Sequence, residues 1–371
     1  VLLSGGGQLE IWDYYDRSAL PRYPMPATRP IDEAATGARL EEIAARHDDL
    51  YALWWAEQEG DPTGIIPRWL DRHAFEAGSR WFGNVRFTTY RLDEPPPPQP
   101  LDVLLTLPGT DEMLHLLGAS VDPLTVTAGD VIAIQSQWAA GASVPVILFV
   151  HLLDEGNHVV GQYDGTGGAP PVPLWDGEET LRMGVRVPHG TIPGEHTLVL
   201  GAYHAESGQR FIAEGSAADT IVLATIPVEA PTVPPDAAAL GLHPDERRYV
   251  TFGDVTLLGA QANRLGFDHA PDTPLAPGDP LSLRLYWRAE QPSPTILPLI
   301  LRLLDSQSRV AAEWPLDPTE GRFPPDQWRQ AELVRDSQVR FLPAVLDPGI
   351  YRLILASERA EALLASVVIH E

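Results

Sequence analysis

Gly129–Trp138 reads GDVIAIQSQW, and Gly278–Trp287 reads GDPLSLRLYW. Each starts with a Gly-Asp turn signal and ends in Trp nine positions later. Between them the apolar residues of Val131–Trp138 and Leu281–Trp287 follow the period of two that marks a half-buried strand. Working outward, further anchors recur in the same order. Leu117-Gly118-Ala119 matches Leu258-Gly259-Ala260, and Leu152-Leu153-Asp154 matches Leu303-Leu304-Asp305. Nine residues past each Asp stands an aromatic, Tyr163 or Trp314, and then come Trp175 and Trp328. Pro193-Gly194 matches Pro348-Gly349, each opening another apolar run. Several anchors at near-equal spacing make a chance match improbable. A repeat of about 140 residues means duplicated domains, not a solenoid. Short alternating strands between turn signals make each copy an antiparallel β-sandwich of immunoglobulin-like type.

Two proline-rich breaks set the expected boundaries. Glu94–Pro100 (EPPPPQP) reads as a stiff spacer. The second break, about 229–244, holds Pro231, Pro234, Pro235 and Pro244 around an alanine cluster. They divide the chain into 1–93, 101–228 and 245–371. In the first segment, strand-like runs at Val1–Leu3, Leu50–Trp55 and Val85–Leu92 alternate with helical spacing. Asp32–His47 repeats apolar residues on one helical face, with Asp32 as N-cap. Asp61-Pro62 is expected to open another helix, with Pro in the first turn. Such alternation predicts a small parallel sheet with helices on both faces. The expected fold is therefore mixed: a small α/β parallel-sheet domain followed by two antiparallel immunoglobulin-like β-sandwich domains.

Composition excludes several classes. With 371 residues the chain can build two or three cores. Its formal charge is −25 and all 26 of its cations are arginine. That balance opposes binding to nucleic acid, whose phosphates need clustered cations, and adsorption to anionic lipid. Without cysteine there are no disulfides or thiolate metal sites. The 37 prolines and 31 glycines favour turn-rich β structure. No apolar run is long enough to span a bilayer. A start at Val1, directly in an apolar run, is read as a segment of a longer chain.

Three stretches carry a resemblance: LEIWDYYDRSALPRYPMP (9–26), LEEIAARHDDLYALWWAEQEGDPTGIIPRWLDRHAF (40–75) and SRWFGNVRFTTYRL (79–92). They resemble the soluble region that follows the last membrane helix of bacterial family 39, protein-mannosyltransferase-like, membrane glycosyltransferases. The repeat motifs FVHLLDEGNHVVGQYDG (149–165), PLWDGEE (173–179) and PGEHTLVLGAYHAESGQRF (193–211) resemble sandwich modules appended to the same enzymes. The resemblance implies a parent enzyme that transfers sugar from a polyprenyl-phosphate donor. It places the catalytic acid in an early membrane loop that this chain lacks. It implies a location at the extracytoplasmic face of the membrane, with the membrane-embedded catalytic domain of the same parent chain as partner.

Candidate sites follow from residue chemistry. Ser4-Gly5-Gly6-Gly7 stands between a strand and a helix, where bare amides can hold an anion; the resemblance implies a polyprenyl-phosphate head group or a sugar phosphate as that anion. It lacks the dinucleotide fingerprint, and without Lys there is no P-loop; a tight turn is the plainer reading. Tyr163, Asp164, Trp175 and Asp176, with Trp314 and Trp328 in the second repeat, are candidates for binding sugar by stacking and carboxylate hydrogen bonds. The plainer reading is that these aromatics close the sandwiches. Asp154, Asp164 and Asp176 would bind calcium only if their oxygens converged. His73, His151, His158, His189, His196 and His204 show no tight metal spacing, and no G-x-S-x-G elbow occurs. The sequence calls for no catalytic residue, cofactor or metal. Three functions fit: a non-catalytic glycan- or acceptor-positioning portion of a membrane glycosyltransferase, a stand-alone extracellular carbohydrate-binding protein, and a structural spacer.

Overall fold

A computed structural model of the chain describes residues 1–4, 9–16, 20–267 and 273–370. These form two compact units: Val1–Val126 with Asp130–Val187 and Glu195–Pro227, and Thr127–Gly129 with Pro188–Gly194 and Val228–Glu371.

The first unit begins with β1 (Leu2–Ser4), α1 (Leu9–Tyr15), β2 (Tyr23–Met25), α2 (Glu33–Ala44) and β3 (Asp49–Trp54). Strand β1 pairs in parallel with both β2 and β3. Helix α2 starts as expected, the Asp32 carboxylate accepting the Ala35 amide at 2.9 Å. Its buried face carries Leu40 and Ile43, which pack with Leu2, Leu50, Ala52 and Trp54. After the short α3 (Glu57–Gly60), helix α4 spans Ile65–His73. It starts later than Asp61-Pro62 suggested. The carboxylate of Asp61 takes the amides of Ile65 at 3.1 Å and Ile66 at 2.8 Å, so Asp61 caps the helix from outside its first turn.

The sheet then departs from the all-parallel expectation. Strands β4 (Phe75–Phe82) and β5 (Val85–Arg91) form an antiparallel hairpin, and β5 lies antiparallel to β3. Gly83, at φ +61°, supplies the left-handed turn residue between the two strands. Alternation in 75–82 is broken by a register shift between Glu76 and Ser79, which hid β4 from sequence reading.

The same unit continues with β6 (Gln99–Thr106), β7 (Met113–Asp122), β8 (Val126–Thr127), β9 (Val131–Ala140), β10 (Val146–Leu153), β11 (Val159–Gly165), β12 (Glu178–Arg186), β13 (Gly194–His204), β14 (Ile212–Ala213) and β15 (Ile221–Glu229). One sheet runs β14-β6-β7-β9-β12-β4-β5-β3-β1-β2, and a second runs β11-β10-β13-β15-β8. The expected boundary at 94–100 therefore does not interrupt the sheet, because β12 joins β4 through Met183 and Glu76. Gly184 permits that approach: a Cβ there would stand 2.8 Å from the Glu76 carbonyl oxygen.

The second unit contains β16 (Arg247–Phe252), β17 (Val255–Arg264), β18 (Pro280–Ala289), β19 (Leu299–Leu304), β20 (Val310–Leu316), β21 (Leu333–Phe341), β22 (Gly349–Ala356) and β23 (Glu361–Ile369). Its sheets run β16-β17-β18-β21 and β20-β19-β22-β23. The orders β6-β7-β9-β12 and β11-β10-β13-β15 of the first unit match them strand for strand. Leu257, Leu283 and Trp287 of one sheet share a buried core with Leu301, Leu353 and Leu355 of the other, which makes a β-sandwich.

The repeated anchors now have structural reasons. Each Leu-Gly-Ala sits at a bulge, between Leu116 and Gly118 or Leu257 and Gly259. Trp138 and Trp287 are both fully buried. Each Leu-Leu-Asp ends in a hairpin whose Asp carboxylate accepts the amide four residues on, from His158 or Arg309, at 2.9 Å in both. A left-handed residue completes each turn, Asn157 at φ +60° and Ser308 at φ +64°.

Candidate functional site

The duplicated fold provides an internal control for the predicted sugar site. Pairing puts Tyr163 opposite Val150 and Asp164 opposite Phe149. Side chains alternate across a strand, so Tyr163 and Asp164 face opposite sides of the sheet and cannot line one platform. Tyr163 is half-buried on the core side, its hydroxyl accepting the Gly167 amide at 3.1 Å. Burial pushes that phenol up to about 12. Its counterpart Trp314 pairs with Leu301 and packs against the core.

Trp328 is 1 % exposed and belongs to the second core, so it offers no stacking surface. Its indole N–H donates to the Phe323 carbonyl at 2.8 Å. Trp175 is half-exposed and makes the equivalent bond, to the Pro170 carbonyl five residues back, also at 2.8 Å. The shared bond shows why both copies keep the residue: it pins the connecting loop. Asp176 is exposed. The carboxylate of Asp154 is taken up by its own hairpin, and among the described residues no three His, Asp or Glu side chains gather as a metal site. Ser4 is buried at the end of β1, opposite Trp54. Gly5, Gly6 and Gly7 lie outside the described residues.

Of the sequence candidates among the described residues, Asp164 alone joins a wider cluster. It sits on the outer face of β11-β10-β13 with Phe149 and His151 from β10 and Tyr203 from β13. The Tyr203 hydroxyl donates to Asp164 at 3.3 Å, and the Gln162 amide does so at 3.2 Å. Phe149 has His151 at 4.7 Å and Tyr203 at 6.1 Å between ring centroids. The Arg210 guanidinium lies over the Phe149 ring at 4.5 Å and bonds Asp219 at 3.1 Å. Phe149 fits because its cross-strand partner is Gly201, where a Cβ would stand 2.3 Å from the ring.

Electrostatics follow from this packing. Burial holds the His151 imidazole below its usual value, with Asp164 and Asp219 pulling the other way. Burial and then Asp164 raise the Tyr203 phenol. Phe149 is itself 1 % exposed beneath Arg210, so the face presents the half-exposed rings of Tyr203 and His151 together with carboxylates and the Gln162 amide. That is the combination that stacks on a pyranose ring and bonds its hydroxyls.

Among the described residues, the second unit lacks it. By the shared strand pairing, Phe149, His151, Gln162, Asp164 and Gly201 correspond to Ile300, Arg302, Glu313, Pro315 and Ala356, and the position of Tyr203, two residues past Gly201, falls at Glu358 beyond the end of β22. A sandwich of the same topology closes without these aromatics, so the fold does not require them. Sequence reading missed Phe149, His151, Tyr203 and Arg210 because it sought aromatics that both repeats share.

No family model matches the chain, and no curated protein matches it. Among solved structures, the C-terminal domain of wzt is similar at 13% identity and a TM-score of 0.24, over 35% of this chain and 81% of that one. A likeness at that level says nothing about function.

Proposed function

We propose that the chain is a non-catalytic extracytoplasmic portion of a polytopic membrane glycosyltransferase that uses a polyprenyl-phosphate sugar. On this reading it positions a glycan or acceptor, and its partner is the membrane-embedded catalytic domain of the same parent chain. The sequence stretches at 9–26, 40–75 and 79–92 support the parentage. The Ser4–Gly7 loop remains the proposed contact for a polyprenyl-phosphate head group. The outer-face cluster, present in one repeat and replaced in the other, is the observation that carries glycan binding. Among the described residues no helix is long and apolar enough to cross a membrane, so on this reading membrane attachment belongs to the rest of the parent.

A stand-alone extracellular carbohydrate-binding protein is the second reading. It is favoured by a face that draws every member, from Phe149 to Asp219, from a single unit. The two differ in the gene: membrane helices encoded upstream of Val1 support the first. Glycan binding itself is tested by titrating the chain and its Tyr203→Ala variant against an oligosaccharide array. Tyr203→Ala should abolish binding, while Arg302→Ala, at the equivalent face of the second unit, should leave it intact. Equal binding by wild type and Tyr203→Ala would sink this assignment.

A further inference from the structure

We infer that the outer face of β11-β10-β13 selects its glycan by charge, taking a pyranose with a free amine in preference to its N-acetylated or acidic counterparts. The inference rests on the reading of that face as glycan-binding and names the ligand class.

Three observations lead there. First, the cation of the face is already committed. Arg210 stacks on Phe149 at 4.5 Å and pairs with Asp219 at 3.1 Å. A carboxylate or phosphate on an incoming sugar would have to displace Asp219 from it. Burial holds the His151 imidazole below its usual value, which disfavours a second cation on the face.

Second, Asp164 is exposed, and its two bonded neighbours are neutral donors at long range, the Tyr203 hydroxyl at 3.3 Å and the Gln162 amide at 3.2 Å. Its negative charge meets no contact ion pair among them. An ammonium group on a sugar stacked beside Tyr203 would supply one, and a charge-assisted bond is roughly twice as strong as a neutral one. An N-acetyl group has a neutral amide at the same position and leaves the carboxylate uncompensated.

Third, the chain as a whole carries −25, so an acidic polymer is repelled on approach, within a screening length of about 8 Å at physiological salt. The second unit sharpens the assignment. Where the first has Asp164 it has Pro315, and where the first has His151 it has Arg302, paired to Glu313 at 2.8 Å. That face has no carboxylate at the position of Asp164.

The test is calorimetric titration of the full chain with three tetrasaccharides: glucosamine, N-acetylglucosamine and galacturonic acid. It is run at low and high salt, at a pH where the amines are protonated. The glucosamine tetramer should bind about tenfold tighter than the N-acetyl form, the step expected between a charge-assisted and a neutral bond. High salt should narrow the gap. Asp164→Asn should erase it, bringing the glucosamine and N-acetylglucosamine tetramers to within about twofold of each other. Because a strongly acidic protein attracts any polycation, the inference stands only if Asp164→Asn removes the preference. A preference that survives Asp164→Asn overturns it, as does equal or tighter binding of the N-acetyl or uronic tetramer; the glycan reading then stands. No binding of any tetramer by the wild type removes both.

Discussion

Asp336 should make the second unit less stable as pH rises, and the size of the effect can be worked out. Its side chain is 1 % exposed on β21. Gln338 donates to both carboxylate oxygens, at 3.0 and 2.9 Å, and the Trp287 indole donates at 3.3 Å. These donors favour the charged form, yet burial outweighs them and pushes the carboxyl from 3.8 up to about 6. The folded state therefore holds this proton more tightly than the unfolded chain does. Its stabilising contribution is complete below about pH 4 and is lost as pH climbs through about 6. A shift of roughly two units corresponds to about 3 kcal/mol. In the first unit, by strand pairing, Leu181 and Met183 occupy the places of Asp336 and Gln338, so that position contributes no such slope. The perturbation is Asp336→Asn, which keeps the shape and removes the titration. The assay is hydrogen exchange of the β18 and β21 amides, read as local unfolding free energy between pH 4 and 8 after correction for intrinsic exchange. The gap between wild type and variant should change by about 3 kcal/mol across that window, the wild type losing ground as pH rises. A gap that stays constant within about 1 kcal/mol would refute the reasoning, because the donors would then outweigh burial.

Other outcomes follow from the packing. Trp328→Ala should cost the second unit about 3–5 kcal/mol in chemical denaturation and leave glycan binding by the first unchanged, which separates a core role from a sugar-binding one. Gly201→Ala should displace Phe149, whose ring lies 2.3 Å from the new Cβ, and abolish binding at a stability cost of about 1–3 kcal/mol, read by titration and thermal melting together. Asp61→Ala should cost about 1–2 kcal/mol by freeing the Ile65 and Ile66 amides, measured by thermal unfolding followed by circular dichroism.

The duplication was legible in the sequence because its anchors are local. A Leu-Gly-Ala bulge, a Leu-Leu-Asp hairpin and a buried Trp each need particular residues at fixed offsets, and both copies keep them. The junction of β4 with β12 was not legible. It depends on Gly184 meeting the Glu76 carbonyl across more than a hundred residues, which no local period records. The proline run at 94–100 pointed the other way, because a stiff segment within one sheet has the same composition as a linker.

The candidate site shows the converse limit. Residues that both repeats share are those the fold needs, and Trp175 and Trp328 share a loop-pinning bond while Tyr163 and Trp314 share the core side. Searching for function among shared aromatics therefore selects for architecture. What distinguishes the copies lies between the anchors, where Phe149 requires Gly201 opposite it and the other copy pairs Ile300 with Ala356. The Phe–Gly pair removes a side chain from one strand to seat a ring from its neighbour. That ring then supports Arg210, which occupies Asp219 and leaves Asp164 to Tyr203 and Gln162. A single glycine thus sets the charge left over on the face, which is why Gly201→Ala and Asp164→Asn should alter binding by separable routes, the first by moving the ring and the second by removing the charge.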